Sequence, residues 1–259
     1  MPELPDVEVF RKEAEKSKNS EIESIEIQDP DFVDITKKEF NKKLKDHKFE
    51  KIIRQGKNLF LSADNNITVA MHFGMTGELK YREYDEDVPK YTKCSFVFRN
   101  DHKLHYTCTR KLGYIELTDD LDKYVEGKEL GVDALEITGD EFVLLLKEKN
   151  SMVKSAITDQ SKISGIGNIY SDEILFQSGI HPKKHTNELS ESDMKRLFKN
   201  TRRVLKKAIE KEADVLELPK SYLLPHRKEG DKCPKCDTKI KKIKVSGRSA
   251  YYCPSCQKY

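Results

Sequence analysis

The sequence lacks the features of membrane-spanning, secreted and disordered proteins. Its 259 residues contain no apolar run approaching ~18 residues, the length that a helix needs to span a bilayer. No basic segment followed by an apolar one opens the chain, so no secretion signal is indicated. There is no internal repeat and no low-complexity segment, and a hydrophobic content of 36% lets a chain of this length bury a core. We expect a folded cytoplasmic protein with no membrane partner.

Positive and negative charges are unevenly distributed along the chain. Residues 1–150 hold 25 Lys and Arg against 32 Asp and Glu, a net charge of −7, whereas residues 151–259 hold 23 against 13, a net charge of +10. A strongly basic half favours contact with a polyanion such as nucleic acid, but such charge is also typical of an ordinary solvated surface. Charge alone leaves both interpretations open.

Local patterns predict a sheet-rich first half and a helical second half. A helix is expected over "VEVFRKEAEKSK", and another begins at the capping box of Thr36 and Glu39. The segments "NLFLSADNNITVAMHF", "CSFVFRNDHKLHYT" and "GYIELT" are typical of strands. A second capping box, Thr138 with Glu141, begins the helical part, and the longest helix is expected to begin near Ser190.

The strongest pattern is a pair of CxxC motifs separated by 16 residues, formed by Cys233, Cys236, Cys253 and Cys256. Four thiolates at this spacing are typical of a closed tetrahedral Zn²⁺ site, which is structural because no coordination position stays open. Two disulfides or a redox motif are the alternatives, and a cytoplasmic location disfavours the disulfides. We therefore predict one structural zinc ion.

Two segments of the second half are suited to binding phosphate. Gly165 and Gly167 form a turn that leads into a helix at Asn168, and backbone amides at a helix N-terminus attract anions. The segment between the two CxxC motifs predicts a basic hairpin, with Gly247 at its turn followed by Arg248. Taken alone, the glycine turn is a weak signal because turns with two glycines are common.

Pro2 follows the initiator methionine directly and precedes the first expected helix. Proline suits an early helical position, where its fixed φ and missing N–H carry no cost. The alternative is that Met1 is removed and Pro2 then exposes a secondary amine. These residues alone do not decide between the two.

Five motifs together resemble the formamidopyrimidine-DNA glycosylase and endonuclease VIII family. They are "PELPDVE", "GKNLFL", "HFGMTG", "DQSKISGIGNIYSDEILFQSGIHP" and the CxxC pair, and they occur in the family's order from Pro2 to Cys256. "PELP" and Met75 are nearer to the formamidopyrimidine-DNA glycosylase branch. One such motif is weak evidence, but five in order are specific.

The resemblance implies an α+β fold in three parts. An antiparallel β-sandwich flanked by helices is expected over residues 1–133, a helix–two-turn–helix domain over 134–220 and a β-hairpin zinc finger over 229–259. It also implies that damaged double-stranded DNA is the partner, that the protein is monomeric and prokaryotic, and that it works at the nucleoid. The implied activity is base excision, in which a damaged base is flipped out and removed and the strand is then nicked.

The resemblance assigns the chemistry to the amine of Pro2. An α-amine loses its proton more readily than lysine does, and a secondary amine condenses with the sugar to a cationic iminium that promotes strand cleavage. Glu3 is expected to exchange a proton with the ribose ring oxygen, and Lys57 to bind phosphate and donate a proton. Asp6 and Glu173 match acidic positions of the family and are expected to support the amine.

Further residues match DNA-binding positions of the family. Arg248 and Asn168 are expected to hold the phosphates beside the flipped nucleotide, with Lys154 as a weaker candidate. Met75 and Arg110 match side chains that fill the space left by the flipped base, and Leu112 stands where the branch has phenylalanine.

Two departures from the family bear on substrate choice. Only 20 residues separate Glu212 from Cys233, without the glycine-rich loop that the branch closes over 8-oxoguanine, and Leu112 offers less stacking area than an aromatic ring. Abasic sites, formamidopyrimidines and oxidised pyrimidines are therefore expected to be better substrates than 8-oxoguanine. The alternatives are a non-catalytic DNA-damage binding protein, which intact Pro2, Glu3 and Lys57 disfavour, and a zinc-ribbon accessory factor, which leaves the N-terminus unexplained.

Overall fold

The computed structural model describes residues 1–33, 35–148 and 150–259. It divides into two compact units: unit 1 comprises residues 1–2 and 6–129, and unit 2 comprises residues 3–5 and 130–259. The expected parts, antiparallel sheets, a helical region and a C-terminal hairpin, are all present. Among the described residues, none of the helices combines the length and the apolar character that a bilayer span requires.

Unit 1 is built on two four-stranded antiparallel sheets. Its elements in chain order are α1 (Leu4–Glu15), β1 (Ile22–Ile27), α2 (Lys37–Leu44), β2 (Phe49–Gln55), β3 (Asn58–Ala63), β4 (Thr68–His72), β5 (Gly77–Glu83), β6 (Thr92–Phe98), β7 (His102–Cys108), β8 (Tyr114–Thr118) and α3 (Leu121–Gly127). One sheet has the order β1-β6-β7-β5 and the other β2-β3-β4-β8. Their inner faces share one core, in which the Phe49 ring packs 5.6 Å from that of Phe96.

Unit 2 is helical and carries the terminal hairpin. Its elements are β9 (Val132–Asp133), α4 (Gly139–Lys147), α5 (Val153–Ile157), β10 (Ile163–Ser164), α6 (Asn168–Ser178), α7 (Glu191–Glu210), β11 (Lys241–Val245) and β12 (Arg248–Tyr252). Leu4 belongs to the core of this unit, together with side chains of α4, α6 and α7. A smaller cluster of Phe176, Leu223, Cys233, Ile240 and Cys253 packs the finger against α6.

Local signals placed the starts of α2, α4 and α7 correctly, whereas α1 begins at Leu4, three residues before the expected segment. Both reciprocal hydrogen bonds of the capping box are present at Thr36 with Glu39 and at Thr138 with Glu141. Ser190 is the N-cap of α7, the longest helix described, and its side chain accepts the backbone N–H of Asp193. These predictions are confirmed because a capping box depends only on residues within one helical turn.

Candidate functional site

Pro2 lies on the wall of a pocket of about 480 Å³ in unit 1. Asp6, Phe10 and Met75 contribute to the same pocket. Pro2 and Asp6 are both half-buried, so each presents atoms to the pocket while staying anchored at the start of α1. The structure thus brings together the residue predicted to carry the amine, one of its predicted acidic supports and one predicted space-filling side chain.

Glu3 is fully buried in unit 2, where it caps the N-terminus of α6. Its Oε2 accepts the N–H groups of Gly167 (2.9 Å) and Tyr170 (3.1 Å), and its Oε1 accepts the N–H of Ile169 (2.8 Å). A carboxylate in this position uses amides that the first helical turn leaves without partners and interacts favourably with the helix dipole. The glycine turn that the sequence suggested for phosphate therefore holds a carboxylate of this chain.

Gly167 is required by the close approach of Glu3. A Cβ atom at this position would lie 2.3 Å from the carboxyl carbon of Glu3, far inside van der Waals contact. Gly165 has a φ of 108°, and a Cβ there would lie 2.6 Å from a methyl carbon of Leu4. The two glycines thus let residues 3 and 4 lie directly against the turn that precedes α6.

Lys57 occupies the turn between β2 and β3, after Gly56, whose φ is 58°. It is half-buried, and it lies close enough to His72 at the end of β4 to affect that ring. Burial, followed by the positive charges of Lys57 and Lys128, lowers the pKa of His72. The imidazole is therefore neutral near pH 7, beside two cations.

The hydrogen bonds of His72 fix its tautomer. Its Nδ1 accepts the N–H of Gly74 at 3.2 Å, so the neutral ring carries its proton on Nε2. Its ring stacks on that of Tyr114, with centroids 5.3 Å apart. The ring thus presents an oriented N–H donor near Lys57. Sequence reasoning assigned no role to His72, although the signal was present in the "HFGM" motif that it quoted.

The three predicted space-filling residues are exposed side chains of unit 1. Met75 is 39% exposed and Leu112 is 57% exposed, so neither belongs to the core. Arg110 Nη1 lies 3.7 Å from the Met75 sulfur, and the Arg110 N–H bonds to Thr76 Oγ1 at 3.0 Å. The backbone of Leu112 lies directly against Gly74. Residues from two separate loops therefore form one exposed group.

Arg248 begins β12 after a tight turn at the tip of the hairpin. Val245 pairs with Arg248, and the two residues between them, Ser246 and Gly247, both have positive φ, as in a type I′ hairpin turn. Arg248 is exposed and lines a pocket of about 370 Å³ in unit 2, to which Lys154 also contributes. The predicted basic hairpin is confirmed in its strands and its turn.

Asn168 and Lys154 lie close together, but their side chains differ in burial and in hydrogen-bond partners. Asn168 is the first residue of α6 and is half-buried; its Oδ1 is buried and has no hydrogen-bond partner among the described residues. Lys154 is only 2% exposed, and its Nζ donates to Asn168 O (3.0 Å), Ser171 Oγ (2.8 Å) and Asp172 Oδ1 (2.5 Å). No local sequence pattern indicates that this lysine is buried.

Glu173 is fully buried in unit 2, and its hydrogen bonds are made with the chain itself. Its Oε2 accepts the N–H of Leu224 at 2.8 Å, and its Oε1 accepts Gln177 Nε2 at 2.7 Å. Burial raises the pKa of this carboxyl to about 7. The hydrogen bond from Leu224 to Glu173 thus fixes the short helical turn at Leu224–His226, a role that the sequence did not indicate.

The four cysteine sulfurs lie within 4.8 Å of one another. Individual separations are 3.8 Å between Cys233 and Cys256, 3.5 Å between Cys236 and Cys253, and 3.4 Å between Cys236 and Cys256. Tetrahedral Zn–S bonds of about 2.3 Å place sulfurs roughly 3.8 Å apart, so the cluster fits one zinc ion. The predicted ligand set is confirmed as a spatial cluster.

Comparisons with known proteins agree across the whole chain. The family model of the formamidopyrimidine-DNA glycosylase N-terminal domain matches residues 1–115, that of the H2TH domain of the same enzymes matches 130–219, and that of a zinc finger found in FPG and IleRS matches 230–258. Formamidopyrimidine-DNA glycosylases from Pelotomaculum thermopropionicum and Mycoplasmopsis pulmonis are 34% and 35% identical to this chain. Both alignments cover 100% of the chain and at least 98% of the relative.

Solved structures with the same fold contain DNA. A Lactococcus lactis Fpg variant in complex with Fapy-dG-containing DNA is 32% identical, with a TM-score of 0.88 and 100% coverage of both chains. The Lactococcus lactis Fpg in complex with DNA that contains an abasic site is 31% identical, with a TM-score of 0.86, covering 99% of this chain and 100% of that one.

Proposed function

The chain belongs to the formamidopyrimidine-DNA glycosylase family, and on that premise we propose how its own residues remove damaged bases from DNA and nick the strand. It is a DNA glycosylase of base-excision repair, and AP lyase activity is typical of its family. We propose that it works as a monomer in the bacterial cytoplasm, on the DNA of the nucleoid, and that its parts divide at 1–133, 134–220 and 229–259.

The observation that carries the catalytic assignment is that Pro2 faces a pocket while the adjacent Glu3 is buried and held by hydrogen bonds. Pro2 is half-buried on the wall of an open pocket, whereas Glu3 is locked by three backbone amides. A rigid Glu3 gives the adjoining amine a defined position, which an attacking nucleophile needs. A proline present only to begin a helix needs neither the pocket nor the buried carboxylate.

The reaction follows from the amine of Pro2 once Met1 is removed. The Pro2 nitrogen attacks the sugar C1′, the N–C1′ bond forms, and the glycosidic bond breaks as the base leaves with a proton. The Pro2 nitrogen then loses its proton, which Glu3 passes to the ring oxygen as the sugar ring opens, and the product is an iminium cation. That cation acidifies the C2′ proton, whose removal expels the 3′ phosphate, and a second elimination expels the 5′ phosphate.

Each unit by itself offers groups suited to binding DNA phosphates. In unit 1, Lys57 supplies a positive charge and His72 Nε2 an oriented N–H donor. In unit 2, Arg248 supplies an exposed guanidinium and Asn168 a side chain at the start of α6. Met75, Arg110 and Leu112 enter the space that the flipped base leaves.

One structural zinc ion is bound by Cys233, Cys236, Cys253 and Cys256. The ion contributes folding energy to a segment with little core of its own. Cys253 directly follows β12, the strand that Arg248 begins. The metal therefore stabilises the strand that presents this arginine.

The segment between α7 and the finger supports the proposed substrate preference. Residues 213–232 form two short helical turns, and Leu218, Tyr222, Leu223 and Leu224 are buried. Leu224 is further held by Glu173. A short segment packed in this way offers no long flexible loop to close over a purine, and the exposed Leu112 stacks less well than an aromatic ring.

Single-turnover cleavage of matched duplexes tests this proposal. We expect nicking at abasic sites, dihydrouracil and formamidopyrimidine, and slower processing of 8-oxoguanine opposite cytosine. Leu112→Phe is the matched variant, because it restores the aromatic ring and is expected to raise the 8-oxoguanine rate more than the dihydrouracil rate. Faster cleavage of 8-oxoguanine by the unaltered protein contradicts the preference, and binding without nicking of abasic DNA favours the non-catalytic alternative.

A further inference from the structure

Helix α6 carries a second buried carboxylate, Asp172, which has no place in the chemistry described above. It is fully buried, and each of its oxygens contacts a cation. Oδ1 accepts Lys154 Nζ at 2.5 Å, and Oδ2 accepts Arg227 Nε at 2.8 Å and the backbone N–H of Tyr251 at 3.1 Å. One carboxylate thus joins α5, the segment before the finger and strand β12.

Lys154 has no proton left for a phosphate. A lysine ammonium has three N–H donors, and three acceptors of the chain lie at hydrogen-bond distance: Asn168 O, Ser171 Oγ and Asp172 Oδ1. With 2% of the residue exposed, binding DNA directly would require breaking one of these bonds. An effect of Lys154 on DNA binding must therefore pass through the groups that it holds.

The cluster of Asp172, Lys154 and Arg227 holds the groups that are proposed to bind the DNA backbone. Asn168 lies one helical turn before Asp172 on α6, and its carbonyl is bound by Lys154. Arg248 lies three residues before Tyr251 on β12, and the Arg227 guanidinium covers the Tyr251 ring at 4.5 Å. The cluster therefore fixes the start of α6 relative to the strand of the finger.

We propose that Asp172 is a positioning residue, which aligns Asn168 and Arg248 on the same stretch of DNA backbone, and that Lys154 acts through Asp172 without touching phosphate. The inference rests on the proposed function, because it takes Arg248 as a phosphate ligand. A second contact supports the alignment: Ser155 of α5 and Ser246 of the hairpin turn share a hydrogen bond of 2.8 Å. The cluster and this contact hold the hairpin at two points.

Double-mutant cycles with Arg248→Ala test the proposal. The Kd for a duplex containing a tetrahydrofuran abasic analogue is measured by anisotropy over a range of KCl concentrations. Loss of one phosphate contact is expected to raise Kd roughly tenfold and to reduce the salt slope by about 1. We expect Asp172→Asn to reduce the salt slope by the same amount and to raise Kd at least as much, because Asn168 is misaligned too. The double variant Asp172→Asn/Arg248→Ala is expected to be no worse than Asp172→Asn alone.

Lys154→Met provides a second, independent cycle. This variant removes the buried ammonium and leaves Asp172 paired with Arg227, so it tests the same link should Asp172→Asn fail to fold. The double variant Lys154→Met/Arg248→Ala is likewise expected to be no worse than Lys154→Met alone. Asp140→Asn, an exposed change of the same kind on α4, is the matched control and is expected to leave Kd unchanged.

The outcomes separate this inference from the function on which it rests. The positioning role would be overturned if the fold-increases in Kd of the two single variants multiplied in either double variant. It would also be overturned if adding Lys154→Met to Arg248→Ala reduced the salt slope further. Both results would leave Arg248 as a ligand. Unchanged binding by Asp172→Asn and Lys154→Met would overturn it equally. An Arg248→Ala variant with the affinity and salt slope of the unaltered protein would remove the premise itself.

Discussion

Replacing the buried Glu173 by glutamine is expected to remove part of the pH dependence of the free energy of unfolding. The Glu173 carboxyl accepts the N–H of Leu224 and the side-chain N–H of Gln177, and the described residues provide no ion-pair partner within 4 Å. Burial raises its pKa from the ordinary 4.5 to about 7. Glutamine has nearly the same shape and an oxygen for Leu224, but it cannot ionise.

The sign and size of the effect follow from linkage. Because the folded-state pKa is raised, the folded protein binds the proton more tightly than the unfolded chain does. Glu173 therefore contributes stability below about pH 4.5, and that contribution is lost as the pH rises through about 7. Integrated from about pH 5 to 8, the loss is about 2–3 kcal/mol. Glu173→Gln does not undergo it.

Urea unfolding, followed by helical circular dichroism at constant ionic strength, measures the difference directly. The free energy of unfolding of Glu173→Gln minus that of the unaltered protein is expected to rise by about 2–3 kcal/mol between about pH 5 and 8. Glu141→Gln is the control. Hydrogen bonds from Thr138 lower the pKa of Glu141, so its contribution is complete above about pH 4.5 and the difference stays flat over this range. A flat difference for Glu173→Gln would refute the reasoning.

Three further predictions concern the zinc finger, the glycine turn before α6, and the pair of Lys57 and His72 in unit 1. Chelating zinc, or Cys253→Ser, is expected to abolish DNA binding and leave the sheet signal of unit 1 intact, because unit 1 has its own core; full affinity after verified metal removal would contradict this. Gly167→Ala is expected to cost about 1–3 kcal/mol in denaturant unfolding and at least ~10-fold in single-turnover rate, because the added Cβ displaces Glu3. Gly127→Ala, which meets no atom within 4 Å, is expected to behave as the unaltered protein, and equal behaviour of the two variants would argue against the contact. Lys57→Met is expected to raise the pKa of His72, visible by NMR titration, because it removes a nearby positive charge; an unchanged titration would show that the two side chains do not interact.

The parts of the fold that the sequence revealed are those encoded by neighbouring residues. The capping boxes at Thr36 and Thr138 and the start of α7 depend on contacts within one helical turn. The cysteine quartet was visible because metal ligands recur at fixed spacing within each CxxC motif. Predictions of this kind need no knowledge of the tertiary structure.

Strands β1 and β5 have weak sequence patterns of their own. Strand β1 buries Ile22 and Ile25, whereas Glu23 is exposed and Glu26 is half-buried, and it is completed by pairing with β6, some 70 residues away in the chain. Strand β5 has only Leu79 and Tyr81 as large apolar residues between charged ones. Their conformation is determined by partners distant in sequence, so local alternation gives little indication of it.

Motifs indicated candidate site residues, whereas roles that depend on burial left no local signal. The cysteines predicted from their spacing cluster in space, and Pro2, Asp6 and Met75, which the resemblance named, line one pocket. Lysine side chains are normally exposed, so no local pattern indicated that Lys154 is buried and donates a hydrogen bond to Asp172. Such roles arise from packing between helices that are adjacent only in the folded chain.

Borohydride trapping on abasic DNA tests the central claim most directly, because reduction converts the iminium to a stable amine that links the protein to the sugar. The protein is incubated with an abasic duplex and borohydride, and the linked peptide is identified by mass spectrometry. We predict one covalent adduct on the nitrogen of Pro2 in protein that has lost Met1, and none in protein whose N-terminus is blocked. An adduct on a lysine such as Lys57, no adduct with correctly processed protein, or undiminished trapping with a blocked N-terminus would contradict the account.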